Sequence, residues 1–179
     1  MFWNLLYPRP YLLVSSCFNE RTNVTAVEWS MPVSQKPPMI AVALTNNGLS
    51  LDLISHSKEF VVAVPTERIR EAVELCASTS GKFLDKFSES KLTPLKATKV
   101  SAPLILEAAA NYECRAISYV NYSMDHTIVF GEVVQSHVPE DKKTGEDKKT
   151  DALASLLAKV PGAHAMPQAS EKRKKEPRE

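Results

Sequence analysis

Two long strand-like segments, Asn111–Tyr122 and His126–His137, follow one another with only Ser123–Met124–Asp125 between them. A link that short joins antiparallel neighbours; it is too short for the crossover that a parallel pair needs. The rest of the body repeats the pattern. Tyr11–Phe18 is a mostly apolar run closed by the polar turn Asn19–Thr22, and Asn23–Trp29 mixes β-branched with polar residues. Met39–Thr45 and Phe60–Pro65 read as buried strands, with the turn Asn46–Asn47–Gly48 after the first of them. Helical period appears in two places. Ser50 is set to cap a short helix reaching Lys58, with Leu51, Ile54 and Ser55 along one side. Thr66 is set to cap a second helix, where Ile69, Ala72, Val73 and Cys76 fall at i, i+3, i+4 and i+7. Ser78–Pro103 reads as irregular. A parallel α/β sheet needs a helix after nearly every strand, and those helices are missing. The predicted fold is mainly β, an antiparallel barrel of about six strands with helices over its openings, because closure removes exposed edges.

The composition of the chain limits its partners. Its 179 residues are 44% apolar and 24% charged, enough for one well-buried domain with some chain left over. A formal net charge of +1 gives no reason to expect nucleic acid or an acidic membrane as partner. The character of the chain changes near Pro139, so residues 1–138 are read as the domain and 139–179 as a charged, partly disordered tail. Inside that tail, beyond the near-repeat EDKKTGEDKKT, a short helix is expected at 151–160, with Leu153, Leu156, Leu157 and Val160 on one face. Cys17, Cys76 and Cys114 form no C-x-x-C pair and read as buried thiols in a reducing compartment. The apolar N-terminal stretch is interrupted by Pro8, Arg9 and Pro10, so neither a signal peptide nor a membrane span is expected, and the protein is read as cytoplasmic.

The common catalytic signatures are absent. No glycine-rich phosphate loop, no G-x-S-x-G elbow and no H-E-x-x-H occurs, and His56, His126, His137 and His164 are too dispersed to suggest a metal site. No catalytic side chain and no metal is therefore assigned. One segment is unusual: N23-V-T-A-V-E-W-S-M-P-V-S-Q-K-P-P38. A polar-decorated strand here runs into a loop that offers hydroxyls at Thr25, Ser30 and Ser34, with the apolar surfaces of Trp29 and Met31. Such a mixture suits a heteroaromatic cofactor, whose faces want apolar contact and whose rim wants hydrogen bonds. It equally suits a proline-braced turn between two strands.

The same residues carry a resemblance. R9-P-Y-L-L-V-S-S, N23-V-T-A with W29-S-M-P-V-S-x-x-P-P38, and L44-T-N-N resemble the flavin reductase-like, FMN-binding split-barrel family, its flavoredoxin branch especially. F60-V-V-A-V-P65, S80-G-K-F-L-D-K-F87 and D125-H-T-I-V-F-G-E-V133 extend the match in family order, and only the tail is left outside it. The resemblance implies a six-stranded Greek-key barrel that binds FMN near a homodimer interface. It would place the ring along Trp29, Ser30, Met31, Pro32, Val33 and Ser34, with Asn23 and Thr25 reaching the ring or ribityl chain. The phosphate would lie by Thr45, Asn46 and Ser50, where a helix start presents free N–H groups. Many relatives carry Arg or Lys in the turn where this chain has Asn46 and Asn47; Lys36, Lys82 or Lys86 would then supply the charge. Lys86, Phe87 and His126 are expected to line the same pocket, Lys86 by the phosphate or the N1 edge and His126 by the flavin or a nicotinamide.

The activity implied is that of an oxidoreductase passing electrons from NADH or NADPH through FMN to an acceptor. Two alternatives stand beside it: a flavoredoxin-type carrier reduced by an electron-transfer protein, and a barrel that has lost its flavin and serves as an interaction protein.

Overall fold

The computed structural model describes residues 9–138; the helix expected at 151–160 and the rest of the tail lie outside the described residues. Nine strands and three helices form this part of the chain. Strands β1 (Leu12–Phe18) and β2 (Arg21–Val27) make a hairpin, and β3 (Ser30–Gln35) and β4 (Pro38–Thr45) make another. Helix α1 (Leu49–Ser57) leads into β5 (Glu59–Val64). A 3₁₀ turn at Glu67–Ile69 then opens α2 (Arg70–Ser78), which is followed by α3 (Lys86–Ser90). The two-residue strands β6 (Pro94–Leu95) and β7 (Leu104–Ile105) pair with each other. The long strands β8 (Ala110–Val120) and β9 (His126–His137) complete the body.

Seven strands join in the order β2-β1-β5-β8-β9-β4-β3, with every pairing antiparallel. The outermost strands of this order, β2 and β3, are consecutive in the chain. The sheet therefore curls until its two ends are joined by Glu28 and Trp29, a barrel split on one side. This is the mainly β, antiparallel architecture expected from the sequence.

Packing follows strand alternation. Val14, Val42, Phe60, Val62, Cys114 and Val129 fill the barrel interior together with Ile54 of α1. On the opposite face of β1, β2 and β5, Leu13, Val24 and Ala63 pack against Val73 and Cys76 of α2 and Phe87 of α3. The run FVVAV in β5 does not alternate because both of its faces are covered. Gly131 on β9 sits where a Cβ would lie 2.3 Å from Cζ of buried Phe60, so only a glycine lets the aromatic ring fill the barrel there.

Several local expectations change. Trp29–Ser34 was expected as a loop, but from Ser30 onward it is the edge strand β3; Pro32 fits because an edge strand leaves one side of its backbone unpaired. The first helix begins at Leu49 with Gly48 as its N-cap, so Ser50 does not cap it; the Ser50 hydroxyl accepts from Asn23 Nδ2 at 2.8 Å instead. The buried stripe of that helix is Leu49, Ser50, Leu53 and Ile54 rather than Leu51, Ile54 and Ser55. Thr66 precedes the 3₁₀ turn without a side-chain cap, and its hydroxyl donates to the Glu107 carbonyl at 3.2 Å.

The stretch read as irregular contains α3 and the β6–β7 ladder, which short length hides from periodicity. Its later part is pinned to the sheet by two carboxylates. Glu59 on β5 accepts from Ser101 N at 2.7 Å, and Glu113, fully buried on β8, accepts from Thr98 N (2.9 Å), Thr98 Oγ1 (2.7 Å), Lys99 N (2.6 Å) and Val100 N (3.0 Å), with His137 Nε2 2.5 Å from the oxygen that Thr98 also reaches. Cys76 and Cys114 are buried and Cys17 partly so, all three free thiols. Among the described residues no helix is long and apolar enough to cross a membrane.

Candidate functional site

At the split in the barrel the Trp29 carbonyl accepts from Ala43 N–H at 2.8 Å, which ties the β2–β3 corner to β4. Beside this tie lies an open cleft of about 470 Å³, walled by β2, the end of β4, the first turn of α1 and the connection from α2 to α3. Asn23, Thr25, Ala26 and Val27 of β2 line the cleft, while Val24 is buried under α2.

The first turn of α1 is an electropositive wall. A helix's first N–H groups, here those of Leu49, Ser50 and Leu51, have no acceptor one turn back, and Gly48 has no side chain with which to cap them. Ser50 also lines the cleft. Its oxygen is already accepting from Asn23, so its own proton is directed to another acceptor. On the facing connection, Gly81 lies so close to Asn23 that a Cβ would stand 2.0 Å from Oδ1. The backbone of Thr79–Gly81 thereby closes over this end of β2.

Lys86 supplies full charge. It is 3% exposed, lines the cleft, and donates from Nζ to the Cys76 carbonyl at 2.7 Å. That carbonyl belongs to the last turn of α2, the end of a helix that favours a cation. No carboxylate among the described residues lies within 4.0 Å of the ammonium. Burial pushes the Lys86 pKa down, and only the nearby Cys76 thiol opposes it. A buried ammonium that faces a cleft, with no carboxylate beside it, is able to pair with an anion there.

The third part of the cleft is aromatic. His126 begins β9 opposite Thr45, and its ring stands 4.7 Å from that of Trp29, tilted by 47°. Its Nδ1 lies 2.8 Å from Asp125 Oδ1; an ionised carboxylate only accepts, so this nitrogen carries a proton. The same bond holds the Asp125 carboxyl below its ordinary range.

Of the residues singled out in the sequence, Asn23, Thr25, Trp29, Thr45, Ser50, Lys86 and His126 come together around the cleft. Ser30, Met31, Pro32, Val33 and Ser34 do not line it: they form the edge strand β3, with Met31 61% exposed. Asn46 is turned away, its carboxamide bonded to Met124, Asn121 and Thr127. Phe87 is buried in the core under α2. Sequence reasoning missed the Thr79–Gly81 wall and Tyr11, both of which line the cleft. Ser80 and Gly81 stood inside a motif already noted, but nothing in their spacing tells which strand a loop will face.

Comparison with known proteins places this fold in a family. Residues 4–157 match the model of the flavin reductase like domain. An uncharacterized protein of Archaeoglobus fulgidus is 38% identical over 130 residues, covering 72% of either chain. Among solved structures, the flavoredoxin of Desulfovibrio vulgaris (Miyazaki F) superposes with a TM-score of 0.70 at 27% identity, covering 75% of this chain and 72% of that one. The 2-nitrobenzoate 2-nitroreductase of Pseudomonas fluorescens gives 0.71 at 26% identity, covering 78% and 71%. With a split antiparallel barrel, a cleft at the split and a family match over most of its length, this chain belongs to the flavin reductase-like family.

Proposed function

We propose that the protein is an FMN-binding oxidoreductase that takes hydride from NADH or NADPH and hands electrons on to an acceptor. The observation that carries this reading is the cleft itself, where a buried ammonium without a counter-ion shares one cavity with an uncapped helix start and an aromatic pair. These groups fit FMN: Lys86, Ser50 and the N–H groups of α1 suit its phosphate, Asn23 and Thr25 its polar edge or ribityl chain, and Trp29 with His126 its ring. The flavin, when bound, supplies hydride and one-electron chemistry that no side chain here provides. The chain's own residues bind and orient. Ala43, Leu44 and Thr45 form the wall of β4 against which a planar ligand would rest, and the Thr79–Gly81 segment would hold it from the other side.

The test is a visible spectrum of the full chain before and after FMN is added and the excess removed, followed by NADH and NADPH oxidation. Retained, shifted flavin bands with nicotinamide oxidation are expected. A colourless protein that neither retains flavin nor oxidises nicotinamide with any common acceptor overturns the reading. A second reading, an electron carrier served by a protein donor, is favoured by the similarity to a flavoredoxin. It predicts retained flavin without nicotinamide oxidation.

The reading includes a homodimer. Met31 pairs with Ala41, and Ala41 with Phe130, so the three share the outer face of β3, β4 and β9. With Met31 61% exposed on this face and Ile117 of β8 54% exposed, the barrel leaves apolar surface in water that an isologous pair would cover. It would also bring β3, the strand carrying Ser30 to Ser34, to the interface. Light scattering is expected to give the mass of two chains; a stable monomer with flavin bound counts against the pairing.

A further inference from the structure

Thr45 and His126 are the last residue pair of the β4–β9 ladder, and beyond them the two segments part. One enters the turn 45–48 and helix α1; the other is the connector 121–125. Every hydrogen bond found between that turn and residues 121–127 runs to Asn46. Its backbone N–H donates to the Asp125 carbonyl at 3.1 Å, and its Nδ2 donates to the Met124 carbonyl at 2.6 Å. Its Oδ1 accepts from Thr127 Oγ1 at 2.7 Å and from Asn121 Nδ2 at 2.9 Å. Asn121 Oδ1 in turn accepts from Met124 N–H at 3.4 Å, so the connector is folded around this one carboxamide.

The chemistry of the three side-chain contacts selects the residue. A carboxylate at 46 would accept from Thr127 and Asn121 but would turn an oxygen on the Met124 carbonyl. An ammonium would donate to Met124 but accept from neither of the others. A carboxamide of this length does both at once.

What the clamp holds is the cleft. Asn46 itself does not line it, yet the groups on either side do: Thr45, Asn47 and Gly48 in the turn, and His126 next to the clamped Asp125. We propose that Asn46 is the positioning residue of this site, its carboxamide keeping His126 seated on Trp29 and the start of α1 directed into the cleft. The seating part is independent of any ligand; the effect on FMN affinity rests on the function proposed above.

The test uses the full chain carrying Trp3→Phe, which leaves Trp29 as the single tryptophan of the two. The emission of an indole changes with the ring packed on it, so Trp29 fluorescence at one fixed pH reports the His126 contact without flavin. His126→Gln removes that contact and serves as reference. Asn46→Ala is expected to move the Trp29 emission most of the way to that of the reference and to raise the FMN dissociation constant about tenfold, the scale typical of a supporting residue. Asn46→Asp, which keeps the acceptors and lacks only the donor, is expected to fall between; it carries the test if the alanine variant does not fold. Asn46→Lys is expected to weaken FMN binding in spite of its added charge. Asp125, and the charged groups that do line the cleft, Glu28 and Lys86, are unchanged in all of these variants.

Wild-type Trp29 emission retained in both Asn46→Ala and Asn46→Asp overturns the proposal. So does tighter FMN binding by Asn46→Lys, which would make position 46 a contact to the phosphate rather than a clamp. If the wild-type chain binds no FMN, the function proposed above fails, and the Trp29 signal still decides the role of Asn46.

Discussion

Lys86→Met is expected to raise the FMN dissociation constant tenfold or more, equivalent to about 1.5–3 kcal/mol of lost charge-assisted bonding. The flavin-free protein should keep its melting temperature or gain slightly. The two effects part because the ammonium is held at a cost to the fold. It is 3% exposed, burial lowers its pKa, and its partner is a neutral carbonyl, that of Cys76. Methionine fills nearly the same volume without the desolvation penalty and gives up one hydrogen bond, so the net change in stability stays within about 1 kcal/mol. A flavin-fluorescence titration read beside a thermal melt separates the two. Unchanged affinity would remove Lys86 from the binding site, and a collapse of the melting temperature would make it a structural cap of α2.

The second large effect is on stability. Burial alone would push the Glu113 carboxyl up, but the hydrogen bonds from Thr98, His137 and the backbone N–H groups of Thr98 and Lys99 outweigh it and hold its pKa at about 2, against an ordinary 4.5. A carboxyl whose pKa is depressed in the folded state stabilises that state fully above its unfolded value. The contribution is lost as the pH falls from 4.5 toward 2. The gap corresponds to about 3 kcal/mol. Glu113→Gln is therefore expected to cost about 3 kcal/mol at neutral pH, because it leaves N–H donors of the 98–100 segment facing an amide that satisfies fewer of them. It should also flatten the loss of stability between pH 4.5 and 2. Urea denaturation at several pH values checks both. A variant as acid-sensitive as the wild type would show that another group carries the transition.

How much of this was readable in the chain differs by element. The β8–β9 hairpin followed from two strand-length runs and a short link, and α2 from the spacing of Ile69, Ala72, Val73 and Cys76. Both rest on local period, which needs no knowledge of neighbours. The α1 cap was misplaced because Ser50 has the side chain of a good N-cap, and its spacing to the following apolar residues permits one. What removed it from that duty is Asn23, 27 positions earlier in the chain, which holds the Ser50 hydroxyl inside the cleft. The strand character of Ser30–Gln35 was hidden by Pro32, and an edge position explains how the proline is accommodated.

Charge around the cleft shows the same division. The turn at Asn46–Asn47 was legible as a turn, and its lack of a cation was plain from the residues. That Asn46 turns outward to clamp the β8–β9 connector, while Lys86 is buried beneath the cleft, depends on contacts spanning 75 to 81 positions at Asn46 and on the packing of α2 against α3 at Lys86.

The sequence by itself determined the antiparallel, mainly β class and the order of the six longer strand segments it showed, because these reside in period and short links; its motifs carried the resemblance to the family. Tertiary structure decided which of the residues singled out share a cavity. It brought Asn23, Thr25, Trp29, Thr45, Ser50, Lys86 and His126 to one cleft and left Ser30 to Ser34 on an outer edge. The physical reason is that a barrel split between strands adjacent in sequence sets its cavity where sheet curvature brings β2 and β4 together, and that curvature is a property of all the pairings at once.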